Sequence, residues 1–101
     1  MLKDKYSFKL PVHEVQLLAT EFDKMFEQYS DYKVANWLLM LTVLKPIKIK
    51  IATKLMFPKK TTTLVFSQSQ AVAFMAAYEQ SLIRFNLTTS KINAEIHKTI
   101  V

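Results

Sequence analysis

The 101-residue sequence contains no cysteine and no glycine. Without cysteine there is no disulfide framework, no thiolate metal site, no iron–sulfur cluster and no cysteine nucleophile. Without glycine there is no dinucleotide fingerprint, no P-loop and no nucleophile elbow, each of which needs a backbone that only glycine supplies at low cost. Proline occurs three times and tryptophan once. No apolar run is long enough to span a bilayer. The longest, Val34 to Leu44, is broken by Asn36 and Thr42 and falls short of the roughly 20 residues a spanning helix needs. The start, Met1 to Lys5, carries charge with no apolar segment behind it, which reads as neither an export signal nor an anchor. A cytoplasmic protein is the expectation, or a host-cytoplasmic one if the gene belongs to a phage.

Carboxylates are missing from one long stretch. Between Asp31 and Glu79 there is none, while Lys33, Lys45, Lys48, Lys50, Lys54, Lys59 and Lys60 all lie there. The formal charge of +6 is therefore a property of the centre of the chain. Such a concentration attracts phosphate backbones, anionic surfaces or acidic protein faces. The same excess of lysine, with one arginine in the chain, also follows from an A+T-rich genome without selection for binding. In composition the chain resembles small accessory proteins of phages and mobile elements.

Half the residues are hydrophobic and 22% are charged, the profile of a single compact domain over residues 1–101. Tyr6, Phe8 and Leu10 alternate with Lys5, Ser7 and Lys9, which predicts a half-buried strand ended by Pro11. From Val12 to Tyr29 the apolar residues recur at helical spacing. A second helix, capped by Ser30 or Asp31 and apolar on nearly all sides, is expected to end near Leu44 because Pro46 disfavours helical geometry at Lys45. Ile47, Ile49 and Ile51 then alternate with Lys48 and Lys50, which predicts a second strand that Leu55 and Phe57 continue. Pro58-Lys59-Lys60 gives a turn, and residues 61–66 a return strand with Leu64 and Phe66 inward. Ser67-x-x-Gln70 reads as a capping box opening a third helix, and a fourth short helix, capped by Thr88, Thr89 or Ser90, carries Ile92, Ile96 and Ile100.

The predicted fold is α+β, in the order β-α-α-β-β-α-α, with a small three-stranded antiparallel sheet and four helices packed on one face. A shift of 56 residues lays Phe8 on Leu64, Val15 on Ala71 and Phe22 on Tyr78, a βαα pseudo-repeat in pattern though not in identity. If the three strands form one sheet, Lys5, Lys9, Lys48, Lys50 and Lys54 project from its open face, with Lys59 and Lys60 at the hairpin tip. These seven lysines are the candidate anion or nucleic-acid contacts. Any such binding is expected to be non-specific and salt-dependent, because no aromatic residue is placed for base stacking and Arg84 is the only arginine.

Catalysis finds little footing. His13 and His97 belong to no metal-ligand spacing, and no cofactor is expected. Glu14, Glu21, Asp23 and Glu27 alternate with Lys24 and read as a solvated helix face. The chain is expected not to be an enzyme. Trp37, Leu38, Met40, Leu41 and Leu44, on the all-round apolar helix, are the candidate oligomer interface, with ordinary core as the other reading. The expected function is a non-catalytic interaction or assembly module that binds itself or another protein. A nucleic-acid-binding accessory protein is the alternative, and no membrane role is expected.

Overall fold

The computed structural model describes residues 1–100. The chain runs β1 (Lys5–Pro11), α1 (Val12–Tyr29), α2 (Ala35–Met56), β2 (Thr61–Ser67), α3 (Gln68–Glu79) and α4 (Leu87–His97). The strands pair antiparallel, from Lys5 opposite Ser67 to Pro11 opposite Thr61. Strand alternation sends Tyr6, Phe8, Leu10, Thr62, Leu64 and Phe66 into the core, while Lys5, Ser7, Lys9, Thr61 and Thr63 stay exposed. Pro11 closes β1 with extended geometry (φ −66°, ψ 157°) and leads straight into α1.

Among the described residues the sheet has two strands and not three. Residues expected to form the middle strand continue α2, a helix of 22 residues that passes through Pro46. The alternating run Ile47 to Ile51 fits two periods, because Ile47, Ile51 and Leu55 also recur every four residues. Packing decides between them. As a helix, the segment buries Ile47 and Ile51 in line with Met40 and Leu44 of the preceding turns, against α1 and α3. Pro46 lies opposite that buried stripe and is exposed, so the Thr42 carbonyl it leaves without a donor faces outward. The local penalty of an internal proline, about 3 kcal/mol, is offset by the burial of Ile47 and Ile51, each contributing about 1.5–3 kcal/mol.

Capping differs from expectation at two helices. Val34 precedes α2 and supplies no side-chain cap, and α4 begins at Asn86, whose side chain accepts from Thr89 N at 2.8 Å. The box at Ser67 forms as its spacing suggests. Gln70 N donates to Ser67 Oγ at 3.2 Å, and Ser67 N donates to Gln70 Oε1 at 2.8 Å.

The observed order, β-α-α-β-α-α, has a two-fold character. Lys5 to Thr61 and Pro11 to Ser67 are both steps of 56 residues, so the strands superpose end for end, and the pairing is centred on Phe8 opposite Leu64. The helices follow the same rule, since α1 packs on α4 as α3 packs on α2. Four aromatic rings join the halves. Phe8 and Phe66 lie 5.3 Å apart, Phe66 and Phe74 5.8 Å, and Phe74 and Phe22 6.1 Å.

Candidate interaction surface

The two sides of α2 differ in what covers them. Met40, Leu41, Leu44, Ile47 and Ile51 are buried in the core of this chain. On the other side, Ala35, Leu39, Thr42, Pro46, Ile49, Thr53 and Met56 are all exposed. Their spacing is 4-3-4-3-4-3, the heptad pattern that keeps a stripe of residues on one side of a helix. None of them is charged. Leu39 is 64% exposed, Ile49 56% and Met56 72%. The two threonines satisfy their hydroxyls within the helix, Thr42 Oγ1 donating to Leu38 O at 2.7 Å and Thr53 Oγ1 to Ile49 O at 3.0 Å. With the hydroxyls occupied, the hydrogen-bonding demand left on the stripe is that of the Thr42 carbonyl beside Pro46. Lys45 borders it on one flank and Lys50 on the other.

Beside the N-terminal half of the stripe lies a groove of about 380 Å³ between α2 and α3. Leu39, Met40 and Val43 form one wall, and Gln68, Ser69, Val72, Ala73 and Ala76 of α3 the other. The groove is open because α3 offers alanine where a larger side chain would fill the space. At the far end of α2, Met56 and Phe57 project with nothing packed over them, Phe57 being 76% exposed.

The candidate residues are distributed as follows. Met40, Leu41 and Leu44 are core, Trp37 is half-buried, and Leu38 is exposed. Trp37 packs against Tyr29 and Tyr32 and donates to Gln80 Oε1 at 3.2 Å. Leu39, Ile49, Met56 and Phe57, the large apolar residues α2 turns outward, were not among the candidates. Ile49 and Phe57 were assigned to the inner face of a strand, and a helical count of threes and fours carried past Pro46 would have separated Ile49 from the buried stripe.

The lysines do not share one sheet face. Lys5 and Lys9 do project from the open side of β1. Lys48, Lys50 and Lys54 lie on a helix, where Lys48 and Lys50 stand about 200° apart around the axis. Lys48 Nζ is 3.6 Å from Asp23 Oδ1 and 5.7 Å from the centre of the Phe26 ring. Lys59 and Lys60 sit in the connection before β2.

Two carboxylates expected to be solvated are buried. α4 covers that side of α1, and Glu14 Oε1 lies 3.5 Å from Lys91 Nζ. Glu21 Oε1 lies 3.6 Å from Lys24 Nζ, while its Oε2 is buried with no hydrogen-bond partner. Leaving a buried acceptor unmet costs about 1–3 kcal/mol. Glu21→Leu is therefore expected to stabilise the chain by about 1–2 kcal/mol. Urea denaturation followed by circular dichroism checks this, and a lower midpoint for the variant would show that the Lys24 pair outweighs the orphaned oxygen.

His13 and His97 are both exposed, one in the first turn of α1 and the other at the end of α4. Near His97, the Lys98 ammonium bonded to Glu95 at 2.9 Å holds that carboxyl below its ordinary pKa. Among the described residues no group of three His, Cys, Asp or Glu side chains is placed to hold a metal ion, and no helix is long and apolar enough to cross a membrane. In comparisons with protein-family models, with curated proteins and with solved structures, nothing matches the chain.

Proposed function

We propose that this chain is a non-catalytic assembly module that associates through the outer face of α2. The observation that carries the reading is the uncharged, exposed heptad stripe from Ala35 to Met56. In a chain with 14 basic and 8 acidic residues, a full-length helix face without one charge is a surface built for contact. Large exposed apolar side chains cluster on it and at its end, in the manner of an interface core with a lysine rim. A cytoplasmic or host-cytoplasmic setting belongs to the same reading, since the chain carries no cysteine with which to exploit an oxidising compartment.

Nucleic-acid binding through a lysine face has less support. It rested on a third strand, and its central lysines instead wrap around a helix.

Light scattering across a concentration series, from low to hundreds of micromolar, tests the assembly reading. The expected mass rises from the 11.7 kDa of the single chain toward at least twice that value. A constant 11.7 kDa throughout would contradict it.

A further inference from the structure

We propose that the groove between α2 and α3 is the socket for Met56 and Phe57 of a second copy, with the two α2 helices packed antiparallel through their outer stripes. The proposal rests on the assembly reading and adds occupant, orientation and register.

Register follows from the spacing. Antiparallel helices that pair Pro46 with the partner's Ile49 also pair Thr42 with the partner's Thr53 and Leu39 with the partner's Met56, and the two-fold axis repeats each contact. Every stripe position from Leu39 to Met56 then meets another stripe position. This end-to-end match sets the partner's Met56 at Leu39, where the groove opens. Phe57, the first residue past α2, is 76% exposed and is carried to the same end of the groove as Met56. An unbranched thioether and an aromatic ring suit an apolar slot walled by leucine, valine and alanine.

Charge selects the orientation. Lys45 and Lys50 lie on opposite flanks, five residues apart. In a parallel pair these are the positions that meet across the seam, so lysine would face lysine twice. An antiparallel pair sets each flank against itself, with Lys45 facing the partner's Ala52 and Lys50 facing the partner's Val43. It also brings the lysine-rich end of one α2, with Lys54, Lys59 and Lys60, alongside the start of the other, where Asp31 and Lys33 precede the helix and cancel in charge. A second copy thus fits the surface in shape and polarity, with the antiparallel arrangement keeping lysine from facing lysine across the seam.

The absence of cysteine makes a direct test possible. Leu39→Cys and Met56→Cys are prepared separately, checked for native circular dichroism, then oxidised alone and as a mixture. Covalent dimer is expected from the mixture, with at least about tenfold less from either variant alone. Dimer from Leu39→Cys alone would show parallel pairing and overturn the proposal while leaving self-association intact. A dimeric wild type with no cross-link in the mixture would place the contact elsewhere and overturn it too. A wild type that stays monomeric in light scattering removes the underlying reading as well. Independently, Val72→Glu, at an exposed position on the socket wall, is expected to weaken the dimer at least about tenfold without lowering the monomer's unfolding midpoint. Unchanged dimerisation in that variant would remove the socket.

Discussion

Replacing Phe74 with alanine is expected to remove about 3–5 kcal/mol of folding stability, the largest loss of any single substitution considered for this chain. Phe74 is completely buried in α3, and its ring lies between Phe22 of α1 and Phe66 of β2. Phe66 in turn meets Phe8 of β1, so the four rings tie together the two β-α-α halves. Truncating a buried phenylalanine costs about 3–5 kcal/mol, the loss of its aromatic pairs included. A domain of this length has about 5–15 kcal/mol in total. One substitution therefore removes a large share of the stability, because it opens a cavity where the halves join. Urea denaturation followed by circular dichroism measures it, with Val72→Ala at an exposed position of the same helix as control. A midpoint shift for Phe74→Ala no larger than the control's would show that the ring cluster is not the keystone of the core.

Ile49→Glu is expected to weaken self-association by about a hundredfold or more while leaving the single chain folded. Ile49 is more than half exposed in the single chain, so glutamate there meets water and breaks no core contact. Glutamate also has slightly better helix propensity than isoleucine. In the pair the situation reverses. The two-fold axis places two carboxylates in an apolar seam, each beside the partner's Pro46, where burying an uncompensated charge is costly. Sedimentation velocity reads the association and circular dichroism the fold. A folded variant that associates as tightly as the wild type would move the interface off this face, whereas an unfolded variant would show that Ile49 belongs to the core after all.

The two strands β1 and β2, α1 and α3 follow from residues read locally, whereas the expected third strand does not exist among the described residues. Tyr6-Ser7-Phe8-Lys9-Leu10 has one period, Val15-Leu18-Phe22-Met25 another, and neither fits the competing pattern. Residues 47–57 misled because Ile47-Lys48-Ile49-Lys50-Ile51 satisfies strand alternation while Ile47, Ile51 and Leu55 satisfy the helix. Pro46 then weighed toward a break. The breakdown of alternation at Ala52-Thr53 was the local sign of a helix, but the deciding term was long-range burial against α1 and α3. The buried Glu14 has a similar cause. α4, some seventy residues further along the chain, covers the side of α1 that local periodicity assigned to solvent. The outer stripe of α2 was hidden for a different reason. A helix apolar on nearly all sides has no legible direction until the core takes one side, and only then do Leu39, Ile49 and Met56 stand out from Met40, Leu44 and Ile51.

Urea unfolding of the wild type and of Ile49→Glu, each at low and at hundredfold higher protein concentration, measures core and surface together. Association of the folded state raises stability by mass action, whereas a monomer's unfolding midpoint is independent of concentration. The wild-type midpoint should rise with concentration, and that of Ile49→Glu should stay at the wild type's low-concentration value. A wild-type midpoint that does not move would contradict assembly through α2, and a variant midpoint that still rises would place the contact on another face.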